Sequence, residues 1–212
     1  MKKTILVMTL FLCCISTKAQ LSTSIDRNMV EESPSEYECL YEYTINRVGI
    51  EGDTIHDNAF TILQIGKTLS KFEDYTAFQF DSIRNVDAHM EDVERYASQF
   101  CGTANYFDAE VFQNPSESKM TQMECMGLAY YTYDEKFAPM TWEFSEDTLT
   151  VCGYLCKKAT TEYGGRKWIA WYTSELPMPN GPWKLSGLPG LILQANDSAG
   201  IHKFSAFSFR KA

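Results

Sequence analysis

Across residues 37–46 the chain alternates, with Cys39, Tyr41, Tyr43 and Ile45 on one side and Glu38, Glu42, Thr44 and Asn46 on the other. Successive side chains of a strand point to opposite faces, so this spacing predicts a strand with one buried and one wetted face. A turn around Gly52-Asp53 follows. Residues 60–65 and 68–75 then read as two strands joined at Gly66-Lys67, which begins an antiparallel meander. Over 82–100 the period changes: Val86, Met90, Val93, Ala97 and Phe100 recur at steps of four, three, four and three, with charged residues between them. That is the spacing of one long amphipathic helix, stopped by Gly102.

Residues 106–112 and 123–133 read as strands on either side of an Asn114-Pro115-Ser116 loop. Beyond Pro139 the pattern is regular: a strand over 140–144, a Ser145-Glu146-Asp147 turn, a strand over 149–162, a Gly164-Gly165 hairpin turn and a strand over 166–173. Strands joined by such tight turns pair antiparallel. In the last of them Trp168, Ala170 and Tyr172 face one way and Lys167, Ile169, Trp171 and Thr173 the other. Neither face is simply polar, so this strand is covered on both sides or lines a concavity. Residues 193–196 and 202–209 supply the closing strands. No linker or shift of composition interrupts the series, so residues 20–212 are expected to form one domain, mainly β (α+β), with antiparallel strands and one long helix.

Seven of the fourteen positions from Pro177 to Gly190 are Pro or Gly. Prolines fix φ and glycines permit positive φ or close approach, so this loop is expected to be held in one shape. It is not a phosphate loop, because it lacks the G-x-x-x-x-G-K-[ST] spacing and leads into a strand rather than a helix.

The first nineteen residues stand apart. Lys2 and Lys3 precede an apolar run, and Thr17-Lys18-Ala19 supplies small residues at the −3 and −1 positions of a cleavage site before Gln20. This reads as a signal peptide over 1–19, too short for a spanning helix. Leu12 before Cys13 is bulkier than the residue that usually precedes a lipidated cysteine. Export changes the charge and the cysteine count. The whole chain carries 19 Lys+Arg against 28 Asp+Glu, a net −9, and loss of Lys2, Lys3 and Lys18 takes it to −12. An acidic excess argues against a nucleic-acid partner, which needs basic groups to displace counterions. Cys39, Cys101, Cys125, Cys152 and Cys156 remain, an odd number in a disulfide-permissive compartment. In one extended strand Cys152 and Cys156 would lie about 13 Å apart, too far to bridge. The histidines, at 56, 89 and 202, are scattered singly, and no metal or cofactor motif is present.

Residues Gly187, Leu188, Pro189, Gly190, Leu191 and Ile192 spell GLPGLI, and with them come Gly153-Tyr154-Leu155-Cys156-Lys157-Lys158-Ala159-Thr160, Gly165-Arg166, Ala170-Trp171-Tyr172-Thr173 and Gly181-Pro182-Trp183-Lys184. This stretch resembles the GLPGLI family, exported proteins found mainly in one phylum of Gram-negative bacteria. Leu185 stands where an aromatic is expected. The family's biochemical role is unsettled, so the resemblance carries over no catalytic residues. Its members often run longer at the C-terminus, which would leave an edge strand for a partner to cover. Analogy with exported carrier domains implies a curved antiparallel sheet or half-barrel.

Three functions follow as expectations. The first is a non-enzymatic binding or accessory protein of the cell envelope, in the periplasm or at the outer membrane. It would use no cofactor and would present Trp168, Trp171, Tyr172, Trp183 and the 187–192 loop to an apolar ligand, a peptide or an outer-membrane protein. The second is a structural partner that docks on an outer-membrane assembly by strand addition. Here Arg166, at a hairpin end, is open to three readings: partner contact, solvated turn charge or ion pair across the hairpin. The third is an enzyme with Cys156 as nucleophile, which needs a nearby base such as His202 and a lowered thiol pKa. Taken singly, each of these aromatics is better explained as core.

Overall fold

The structure is a computed structural model, and it describes residues 20–22, 34–85, 107–126, 129–137 and 139–212. The signal-peptide reading of 1–19 lies outside these residues.

The strands are β1 (Gln20–Ser22), β2 (Ser35–Val48), β3 (Thr54–Gly66), β4 (Ser70–Asp74), β5 (Ala109–Asn114), β6 (Lys119–Met126), β7 (Ala129–Lys136), β8 (Glu143–Val151), β9 (Tyr154–Tyr163), β10 (Arg166–Thr173), β11 (Leu191–Asp197) and β12 (His202–Lys211). They form one sheet in the order β1-β7-β6-β5-β4-β3-β2-β12-β11-β10-β9-β8. Every neighbouring pair is antiparallel. Two meanders, β2 to β7 and β8 to β12, are thus joined where β12 returns beside β2. The sheet is open, with β1 and β8 at its edges.

This corrects the expected α+β class, with its long amphipathic helix, and the half-barrel variant. Among the described residues the one α-helix is α1 (Tyr75–Asn85), eleven residues long. It starts where Asp74 ends β4, because the Asp74 Oδ1 accepts from the backbone N–H of Thr76 and Ala77 at 2.7 and 3.1 Å, the geometry of an N-cap. Of the stretch read as a long helix only 82–85 is described, as the end of α1, and 86–100 lies outside the described residues.

Other boundaries also move. Residues 145–147 lie within β8, at the irregularity between Phe144 and Thr148, and the strands turn instead at Cys152-Gly153, where φ is 51° and 83°. Ser-Glu-Asp has the composition of a turn, but here the residues form a bulge in which Asp147 pairs with Lys158 at 2.8 Å. Cys152 therefore sits in a turn and not in the strand that carries Cys156. The stretch 123–133 divides between β6 and β7.

The period-2 reading of β2 positions the rest. Its register sets Tyr43 opposite Ala59 of β3 and Phe204 of β12, and Ile45 opposite Asp57 and His202. Directly opposed residues share a face, so these positions form one continuous surface. That face also carries Cys39, Tyr41, Leu63, Phe72, Val111, Trp168 and Ala195, all buried. The segment between β10 and β11, residues 174–190, covers much of it. It is tied internally, from Leu191 N to Leu176 O at 2.9 Å and from Gly187 N to Pro179 O at 2.8 Å. It is tied to the sheet by Asn180 to the Ser70 hydroxyl at 3.1 Å, Gln113 to the Trp183 carbonyl at 3.0 Å and Lys184 to Glu135 at 2.6 Å. Leu185 and Leu188 complete the core beneath it.

Candidate ligand-binding cavity

Where the 174–190 segment leaves this face uncovered, a cavity of about 650 Å³ remains. Its walls follow from strand alternation: Tyr43, Ile45 and Arg47 from β2, Asp57 and Ala59 from β3, Gln122 and Glu124 from β6, Arg166 and Trp168 from β10, and His202 and Phe204 from β12 are each spaced by two. Phe107, Asp108 and Ala109 enter from the start of β5, and Trp183 from the covering segment.

The aromatic wall is mutually packed. Tyr43 stacks on Phe204 with ring centroids 4.7 Å apart, Phe107 meets Tyr43 edge-on at 5.4 Å, and Trp168 lies 5.7 Å from Trp183. Trp183 holds a left-handed backbone, φ 55°, which a bulky residue adopts only when its surroundings impose it. The Gln113 bond to its carbonyl and the Leu185 N to Pro182 O bond of 3.1 Å impose it here. The indole is thereby set against Trp168 and Tyr163.

The charged residues divide into two groups. Arg47 pairs with Asp57. Arg166 reaches Asp197 at 2.8 Å, and Asp197, which is 1% exposed, also accepts from the backbone N–H of Ile201 at 2.7 Å and His202 at 3.0 Å. Burial alone would raise the Asp197 carboxyl, but these bonds outweigh it and hold the group below the usual carboxylate range. Both arginines of the cavity are thus neutralised. His202 is pushed down by burial and by Arg166, against the pull of Asp197, and burial pushes Tyr43 up to about 12. The Tyr43 hydroxyl and His202 Nδ1, 2.8 Å apart, are therefore two neutral groups.

The β5–β6 end differs. Asp108 and Glu124 have no basic partner among the described residues, and burial together with the Asp74 and Glu124 charges raises the Asp108 carboxyl. Gln122, 5% exposed, donates its amide N–H to Glu124. Its Oε1 is buried and has no hydrogen-bond partner among the described residues.

A family model described as "Protein of unknown function (Porph_ging)" matches residues 164–194. The matched segment contains the GLPGLI hexapeptide and contributes Arg166, Trp168 and Trp183 to the cavity. No curated protein matches the chain. Two solved structures of PNGF-II, in the P21 and C2 space groups, superpose with TM-scores of 0.53 and 0.52 at 19% identity. The overlap covers 84% of this chain and 28% of the PNGF-II chain, so the chain spans little more than a quarter of PNGF-II, and the likeness is one of fold.

Of the residues singled out from the sequence, Trp168 and Trp183 line the cavity. Trp171 lies on the opposite face of β10, with the Lys158 ammonium 5.9 Å from its ring, and Tyr172 is buried beside Phe144. Leu188, Leu191 and Ile192 are core, while Gly187 and Pro189 are exposed. Gly190 is required because any side chain there would collide with the Thr173 carbonyl. Arg166 pairs with Asp197 on β11 and not across its own hairpin. Cys156 is buried, donates to the Tyr154 carbonyl at 3.6 Å, and is pushed up by burial to about 11, the reverse of what a thiol nucleophile needs. Cys39, Cys152 and Cys156 are free thiols.

Sequence reasoning missed Tyr43, Gln122 and Glu124 as site residues and singled out His202 only as a base for Cys156. The available signal was polar or charged residues interrupting an otherwise apolar face, as Arg47 does after Tyr43 and Ile45. Among the described residues no helix is long and apolar enough to cross a membrane.

Proposed function

We propose that the protein is an exported, non-enzymatic binding protein of the Gram-negative cell envelope, in the periplasm or at the outer membrane, that holds a small ligand in the cavity beside Trp168 and Trp183. The leader pattern over 1–19 and the Porph_ging match support export. One observation carries the binding reading: a preformed cavity of about 650 Å³, inside the usual range for ligand sites, lined both by aromatic rings and by Gln122, whose buried Oε1 has no hydrogen-bond partner among the described residues. Arg47 with Asp57, Arg166 with Asp197 and Tyr43 with His202 engage one another in pairs, which suits holding a molecule rather than transforming it.

Strand addition is less well supported. The long edge strand β8 carries Glu143, Glu146 and Asp147 and an irregular register, both of which blunt an edge.

The test is tryptophan fluorescence during titration with five probes: choline, spermidine, glucose, octanoate and trialanine. Saturable change with at least one probe, abolished when Ala109→Trp fills the cavity, is the expected result. No response to any probe, or an unchanged response in Ala109→Trp, would overturn the reading.

A further inference from the structure

The polar groups of the cavity specify its ligand more narrowly than its volume does. Both basic side chains are already engaged, Arg47 with Asp57 and Arg166 with Asp197. What remains at the β5–β6 end consists of acceptors: the Gln122 Oε1, buried and without a partner among the described residues, and the carboxylates of Glu124 and Asp108. One amide N–H of Gln122 is donated to Glu124, and its Oε1 is left as an acceptor. The rings of Phe107, Trp168 and Trp183 line the same cavity.

A ligand that matches acceptors, uncompensated negative charge and aromatic rings together is a cation that donates hydrogen bonds or offers a polarised C–H surface. A fatty acid would leave the Gln122 oxygen unpaired and add a negative charge beside two others. A neutral sugar could bond to these acceptors but would leave the negative charge of Glu124 and Asp108 uncompensated.

We propose that the cavity takes a small organic ammonium compound, its cationic group set between the Gln122–Glu124–Asp108 acceptors and the aromatic wall. This rests on the reading of the cavity as a ligand site. An ammonium group alone is far smaller than about 650 Å³, so the compound carries an organic body that fills the remainder along β2 and β12.

Isothermal titration with choline, with its uncharged isostere 3,3-dimethyl-1-butanol and with spermidine tests the idea on the unmodified protein. Choline or spermidine should bind at least tenfold more tightly than the neutral isostere. The advantage should shrink at least tenfold in Asp108→Asn/Glu124→Gln, whose melting temperature is checked first. Binding of neither choline nor spermidine more tightly than the isostere, or binding of glucose or octanoate but neither cation, would overturn the ammonium assignment and leave the ligand-site reading standing. Failure of every probe to bind would overturn both.

Discussion

Asp197 is the buried group that organises one end of the cavity, and its replacement has a calculable cost. Its carboxylate, 1% exposed, accepts three hydrogen bonds, from Arg166 at 2.8 Å, Ile201 N at 2.7 Å and His202 N at 3.0 Å. Asp197→Ala removes all three and strands two backbone N–H groups. Breaking a buried pair costs about 3–5 kcal/mol, and Arg166, being 37% exposed, can rehydrate, so about 3 kcal/mol is expected. Asp197→Asn keeps an oxygen for the two backbone donors but loses the charge opposite Arg166, and should cost about half as much. The assay is urea denaturation followed by intrinsic fluorescence at pH 7. Because the folded carboxyl is held below its unfolded value, its stabilisation is fully present above that value, roughly pH 3.9, and is lost as pH falls through the lower folded one. The parent should therefore lose stability below about pH 4 more steeply than Asp197→Asn. A cost under about 1 kcal/mol for Asp197→Ala, equal costs for the two variants, or identical acid limbs would refute the reasoning.

Three further predictions concern other parts of the face. Gly190→Ala forces a side chain into the Thr173 carbonyl and should destabilise by about 2–4 kcal/mol, read as a shift of the urea midpoint. Trp183→Ala keeps the left-handed backbone without the ring packing, whereas Trp183→Gly relieves the backbone, so the glycine variant should be the more stable of the two by about 1 kcal/mol. Burial pushes the Cys39 thiol up to about 12 and Cys156 to about 11, so in the native protein at pH 8 iodoacetamide should label the partly exposed Cys152 before either, as judged by peptide mass spectrometry.

The strands that could be read from the sequence are those whose two faces differ. Cys39, Tyr41, Tyr43 and Ile45 alternate against polar neighbours, and the structure puts them on the covered face. Gly164-Gly165 marked its turn because both residues take positive φ, 59° and 72°. Turns made by other residues were hidden: Cys152 adopts φ 51° although cysteine is no turn former, and Ser145-Glu146-Asp147 imitates a turn inside β8. The helix start was available in Asp74, an N-cap type directly before Tyr75-Thr76-Ala77, but the stretch 68–75 read as continuous strand. The cavity was largely illegible for a different reason. Alternation says which residues share a face but not which strands adjoin, and Tyr43 meets His202 only because β12 returns to pair with β2. Trp168 and Trp183 could be singled out as large aromatics near a stiff loop. Gln122 has no such mark, since its significance lies in an oxygen that the fold buries without a partner among the described residues.

The most direct measurement is a crystal structure of the protein soaked with whichever of the five fluorescence probes binds most tightly. The account predicts density enclosed by Trp168 and Trp183, with a polar group of the probe within hydrogen-bond reach of Gln122 Oε1. Density on the β8 edge or against residues 187–192, with none in the cavity, would contradict it.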